Sequence, residues 1–265
     1  MSSEDLGHVI VQTAEAHGPN EWVPCASLQL SRRGTSSIPV FIDLLNNPLT
    51  RHQAMFDLEN MGEIAAPARP ALERIIDHDP EEANFGMVIL SMISGSDPAT
   101  LVADYTRFAS SADAQTAIGA IARLSGMRGA AAPSIDTLAA IALSDQSPPS
   151  TRVRTAAAGL LVQLGEFEPQ KVGSYLPKFY SHVELAGGIC QGIPNMGATR
   201  LRPWAQDLRS YLSTALSDDK SRIDTLNHSE PSVAHYRELM RTREAMWCAS
   251  QAIKALDSNG DSSGT

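Results

Sequence analysis

The residues best suited to metal or acid–base chemistry in this chain are its seven histidines, His8, His17, His52, His78, His182, His228 and His235. A helical zinc site needs two of them four residues apart, in the HExxH pattern that also supplies a glutamate base. No pair has that spacing, so no metal and no catalytic residue is expected. A nucleophile elbow, GxSxG, does not occur, which removes the usual means of exposing an activated serine on a strand-to-helix turn. The stretch AGGICQGIPNMG (186–197) is glycine-rich but lacks the GK[ST] that brings a lysine to a phosphate. Its Gly187, Gly188 and Gly192 are expected to let two helices approach closely. The densest acidic run, DHDPEE (77–82), lacks the central glycine and alternating oxygen ligands of a calcium loop. Asp77, Asp79, Glu81 and Glu82 read instead as an inter-helix turn contributing to an acidic surface, with Glu81 and Glu82 favourable near a helix N-terminus. Cys25, Cys190 and Cys248 are far apart and form no CxxC, so reduced core thiols are expected. Trp22 and Trp204 fit either a core or a partner surface, and Trp247 is expected in the core.

The elements that must position these residues follow from one recurring pattern. Met61, Ile93, Leu124, Leu164, Met196 and Leu256 each close an apolar stripe. Three residues earlier stand Leu58, Leu90, Ile121, Leu161, Ile193 and Ile253, and seven earlier Ala54, Gly86, Ala117, Ala157, Ile189 and Ala249. An i, i+4, i+7 stripe opening on a small residue is one helix face pressed on a neighbour. Gly62, Gly95, Gly126, Gly165 and Gly197 follow at the next position or the one after, where a left-handed C-cap is expected. Pro70, Pro98, Pro133, Pro177 and Pro203 come several residues later, suited to starting the next helix. The spacings of the closing residues, 32, 31, 40, 32 and 60, predict units of about 31 residues, each a helix pair. SDQSPPSTR (144–152) lengthens one unit. The segment 217–241 is left open between a degenerate repeat and an insertion.

Segments such as RHQAMFDLENMGEIAAPARPALERIID and RVRTAAAGLLVQLGEFEPQKVGSYLPKF resemble HEAT-like repeats, of the short-period variety found in bilin-lyase-like proteins. The resemblance implies an all-α, alpha-alpha superhelix over 1–256. Its parts are a cap (1–38), regular repeats (39–215), the irregular segment (217–241) and a last helix (243–256), followed by a disordered tail (257–265). HEAT-like hydroxylases bind iron through His-Glu dipeptides, which this chain lacks.

Charge narrows the function. Residues 1–100 hold 14 Asp+Glu against 5 Lys+Arg, while 101–180 hold 6 against 7 and 181–265 hold 10 against 9. The whole excess of acid is N-terminal, which disfavours direct nucleic-acid binding, since phosphates are neutralised by Lys and Arg. The start MSSEDLGHVIVQ does not read as a secretory signal, and no stretch approaches about 18 uninterrupted apolar residues. A cytoplasmic protein with no membrane partner is expected. The resulting expectation is a non-enzymatic scaffold that needs no cofactor. It would bind a basic protein through Asp57, Glu59, Glu63, Asp77, Asp79, Glu81 and Glu82, in the way bacterial HEAT-like immunity proteins neutralise toxins. The alternative is a bilin-lyase-like protein handling a small ligand.

Overall fold

A computed structural model describes residues 1–18, 24–93, 95, 97–145, 149–196, 202–228 and 233–257. Among them every regular element is helical and there is no strand. The expected all-α class is therefore observed. The chain divides into two compact units, Met1–Asp104 and Tyr105–Thr265, with the division inside one helix.

The first unit contains α1 (Ser3–His17), α2 (Pro24–Ser31), α3 (Ile38–Asn46), α4 (Arg51–Met61), α5 (Arg69–His78), α6 (Pro80–Ile93) and the first turns of α7 (Pro98–Ala109). Ser2 caps α1 by accepting from the Asp5 amide while Asp5 accepts from the Ser2 amide, satisfying two donors that the first turn leaves open. The second unit continues through α8 (Ala114–Gly126), α9 (Ile135–Ala142), α10 (Thr151–Leu164) and the short α11 (Pro169–Gly173) and α12 (Leu176–Phe179). It ends with α13 (Ala186–Met196), α14 (Ala205–Asn227) and α15 (Val233–Asp257).

The predicted stripe lies on six helices, α4, α6, α8, α10, α13 and α15, and its described members are almost all buried. Ala54, Ala117, Ala157 and Ile189 are fully covered, as are Leu58, Leu90, Leu161, Leu124 and Leu164. Two of the helix pairs are joined by the same device. Gly62–Ala68 and Arg128–Ser134 are 3-10 segments of 7 residues with proline at the sixth position, and each buries two small residues, Ala65 with Ala68 and Ala131 with Ser134.

A repeated arginine also marks the frame. Ten residues before the closing Met61 stands Arg51, whose Nε donates to the Leu45 carbonyl at the end of α3 (3.0 Å) and whose Nη1 pairs with Asp79 in the turn after α5. Ten before Leu164 stands Arg154, whose Nε donates to the Ala142 carbonyl ending α9 (3.0 Å) and whose Nη2 reaches Glu184 (3.1 Å). Both guanidiniums satisfy a carbonyl that a helix C-terminus leaves open while pairing with an acid about 30 residues on.

Some cap expectations change. Gly62 and Gly95 do take positive φ, 57° and 63°. Gly165 is right-handed (φ −61°), and Gly126 ends α8 while Arg128 supplies the left-handed residue at φ 51°. An L side chain there costs roughly 1–2 kcal/mol relative to glycine. Gly197 lies outside the described residues.

In the second unit α10 packs on α13 at glycines, where the two backbones come close and the Val162 side chain of α10 lies over Gly192. A Cβ at Gly188 would lie 2.0 Å from the Thr155 carbonyl oxygen, and one at Gly192 would lie 2.7 Å from that of Gly159. Gly187 is looser and faces Ala245 of α15, 3.9 Å from where its Cβ would be. The segment 217–241 is shared between two long helices, and the ion pairs Arg209–Asp257 (2.7 Å) and Arg222–Glu238 make α14 and α15 antiparallel. The last helix begins at Val233, ten residues before the expected 243. The tail from 258 lies outside the described residues.

The expectation of three reduced core thiols is corrected. Cys190 of α13 and Cys248 of α15 form a disulfide with Cα atoms 5.8 Å apart, and Cys25 is exposed. Two cysteines 58 residues apart carry no pairing signal in sequence, and the pairing depends on α15 lying along α13.

Two measurements test this packing. Gly188→Ala should lower stability by about 3 kcal/mol or more, because the obstructing atom is a backbone oxygen that no rotamer can move. Gly126→Ala, with open space around it, should be neutral or slightly stabilising; equal denaturation midpoints for the two variants would contradict the close approach. Reduction, or Cys248→Ser, should cost up to about 4 kcal/mol, the chain-entropy value for a loop of this length.

Candidate functional site

The acidic residues of the first unit do not form one surface. Asp57 is buried, 5% exposed, on the edge of the α4 stripe three residues after Ala54. Its Oδ2 accepts from the Ser27 hydroxyl of α2 (2.7 Å), which in turn accepts from the Gln53 amide (2.5 Å). The expectation that Asp57 belongs to a partner-facing surface is therefore corrected: it holds α2 to α4. Burial pushes its carboxyl up to about 6, against the opposing pull of the Ser27 hydroxyl.

Asp79 and Glu82 are also occupied within the unit. Asp79 pairs with Arg51 and accepts weakly from the Glu82 amide (3.4 Å), and the Glu82 carboxylate lies 3.3 Å from His52 Nδ1. These contacts pin the α5–α6 turn against the first turn of α4. Asp77 and Glu81 are exposed in the same turn.

Glu59 and Glu63 belong to the other end of α4. Residue 59 is eight positions from Arg51, a rise of about 12 Å along the axis. Glu59 is half-buried and Glu63 exposed, and both stand among exposed Phe56, Asn60 and Ile64. Exposed aromatic and branched apolar groups beside carboxylates give residues 56–64 the composition of an interface, with apolar anchors and a charged rim. The seven expected site residues thus divide into one buried acid, two turn-stitching acids and four that remain on the surface.

Other features place the remaining candidates. Trp247, expected in the core, is 66% exposed, because it stands two residues from Ala249 and so on the opposite side of α15. Trp204 is half-buried over Gly173, where a Cβ would lie 1.9 Å from its ring. Trp22 lies outside the described residues. Among the described residues no group of three or more His, Cys, Asp or Glu is gathered to hold a metal ion. No helix among them is long and apolar enough to cross a membrane.

The second unit has a shallow cavity of about 310 Å³, lined among others by Ser110, Ser111, Thr137, Ala140, Ile141 and Ser144. No charged side chain stands among its described lining residues, so it offers hydroxyls and methyl groups only.

No family model matches the sequence, and no curated protein matches it. A solved structure described as "Computational Design of Self-Assembling Cyclic Protein Homooligomers" aligns over 97% of this chain and 95% of its own at 17% identity. Its TM-score of 0.24 carries neither fold nor function across.

The Asp57 carboxyl generates a pH prediction. A carboxyl whose pKa rises on folding, from 3.8 to about 6, binds its proton more tightly in the native state. Its contribution is therefore neutral below pH about 4 and increasingly destabilising as pH rises through 6. Asp57→Asn keeps an acceptor for Ser27 and should be more stable than the parent at pH 8 by on the order of 1–3 kcal/mol, with the difference vanishing near pH 4. A pH-independent difference in urea midpoints would rule out this account.

Proposed function

We propose that this chain is a protein-binding scaffold, a short-period HEAT-like solenoid whose N-terminal unit captures a basic protein in the way an immunity protein neutralises a toxin. The observation that carries the reading is the stretch 56–64, where exposed Phe56 and Ile64 accompany Glu59 and Glu63. Large apolar groups in the centre of a contact supply most binding energy, and a carboxylate rim steers a cationic partner and suppresses others.

The charge of the unit supports the same reading. Residues 1–100 carry 14 acids and 5 bases, and Asp104 raises the acids of Met1–Asp104 to 15. Three of the five bases are engaged internally, Arg33 with the Ser3 hydroxyl and the Met1 carbonyl, Arg51 with Asp79, and Arg69 with Glu73 and Asp104. With ten more acids than bases, the field around the unit is negative, which raises the encounter rate with a basic protein.

Affinity capture on the full chain should recover a protein of high isoelectric point. Glu59→Lys combined with Glu63→Lys should slow its association by about tenfold, and added salt should slow the parent in the same way. The fold should be unaffected, since charge changes outside the core typically move stability by no more than about 0.5 kcal/mol. Capture at full rate by the double variant would sink the proposal, and a copurifying pigment in place of a protein would favour the small-ligand reading.

A further inference from the structure

Two helices of the second unit are joined by a covalent bond set among small groups. Cys190 of α13 is bridged to Cys248 of α15, and along the same contact the Ala245 methyl lies 3.9 Å from where a Cβ on Gly187 would stand. The described buried residues of α15 are Thr242, Ala249, Ala252 and Leu256, of which only the last is large. Groups this small remove little apolar area from water, so side chains alone hold α15 weakly. For α13 the case is different. Gly188 and Gly192 seat it against the α10 backbone, and Ile189 and Ile193 are buried, so its place does not depend on the bridge.

The two sulfurs also differ in access. Cys190 is 1% exposed, whereas Cys248 is half-buried beside Trp247, which stands in water. We infer that the Cys190–Cys248 bridge is a reversible redox latch, which a thiol reductant opens at Cys248, so that α15 leaves α13 while α10 and α13 stay packed. The chemistry is thiol–disulfide exchange, and a disulfide that a thiol can reach is the labile kind. A thiolate of the reductant attacks Cys248 Sγ, the bond to Cys190 breaks, and its electron pair leaves on the Cys190 sulfur, which takes up a proton. A second reductant thiolate attacks the reductant's sulfur in the mixed disulfide. Cys248 is released as a thiol, and the reductant ends as a disulfide. Oxidised thiols run the same exchange backwards. Meanwhile the chain itself and the ion pairs Arg209–Asp257 and Arg222–Glu238 keep α15 beside α14, so Cys248 stays near Cys190 at high effective concentration. Opening uncovers the Gly187–Cys190 side of α13 and the inner side of α15. The latch lies wholly in the second unit, and its operation does not depend on the capture of a basic protein.

Thiol alkylation of the full chain in mixtures of reduced and oxidised glutathione tests the inference, with exposed Cys25 as the internal standard. The bridge should open and close in one reversible transition, and Cys25→Ser should leave that transition unchanged. In the reduced chain Cys190 should react within about tenfold of the Cys25 rate, since its cover has left, whereas a thiol still under a docked helix would be slower by about a thousandfold. Hydrogen exchange should accelerate on reduction by at least about tenfold over 242–257 and stay unchanged over 151–164 and 186–196. Cys248→Ser should reproduce that exchange pattern without any reductant. A bridge that stays closed under about a thousandfold excess of reduced glutathione is a permanent staple and overturns the inference. So does a reduced chain in which Cys190 remains protected, or a loss of protection spread equally over α10, α13 and α15.

Discussion

The second unit depends on a close approach that only glycine permits. Where α10 crosses α13, Gly188 and Gly192 bring one helix backbone against the carbonyl oxygens of Thr155 and Gly159. The close approach sets the position of α13, and the rest of the C-terminal architecture inherits it. Cys190 faces Cys248 because α13 lies where the glycines allow, and Gly187 leaves room for Ala245 beside the crossing. Around the same helix Arg154 joins the end of α9 to the 182–184 turn, so that α10 is held at its N-terminal end by charge and along its length by proximity. Backbone contact of this kind gains dispersion and excludes water without the rotamer entropy that a larger interlocking side chain would lose.

The first unit solves a different problem, a surplus of acid in a small volume. Part of the surplus is made structural. Asp79 completes a two-way clamp by Arg51, Glu73 and Asp104 share Arg69, and Asp57 is buried under Ser27 at the expense of a raised pKa. What is left on the surface is spread over the unit, at Glu4, Asp5, Glu15, Asp43 and Asp97 as well as at Glu63, beside exposed Phe56 and Ile64, and at Asp77 and Glu81 of the α5–α6 turn.

Much of the helical frame was legible from residue spacing, because a small residue seven before a closing apolar one is a direct record of a helix face against a neighbour. The faces at Ala54, Ala117 and Ala157 are buried as the spacing requires. Errors arose where one turn of a helix decides the matter. Asp57 is three residues from Ala54 and therefore shares its face, while Trp247 is two residues from Ala249 and is carried away from the core. Both could have been found by applying the helical angle to polar and aromatic residues as strictly as to the apolar stripe. The arginine ten residues before the closing position was equally visible, at 51 and 154, but only the carbonyls it reaches show why it recurs. The disulfide was not legible at all, since it depends on tertiary packing, and the acidic run at 77–82 did not show which of its carboxylates reach Arg51 and His52.

The bond between α13 and α15 also has a mechanical meaning. Tension applied at the end of α15 would pass through Cys248 to Cys190, directly into the helix that glycine contacts hold against α10. The 58-residue span between the two sulfurs, which contains all of α14, would carry none of that load. An oxidised chain pulled from its ends would therefore extend about 200 Å less than a reduced one, and its C-terminal hairpin could come apart sideways without lengthening the molecule.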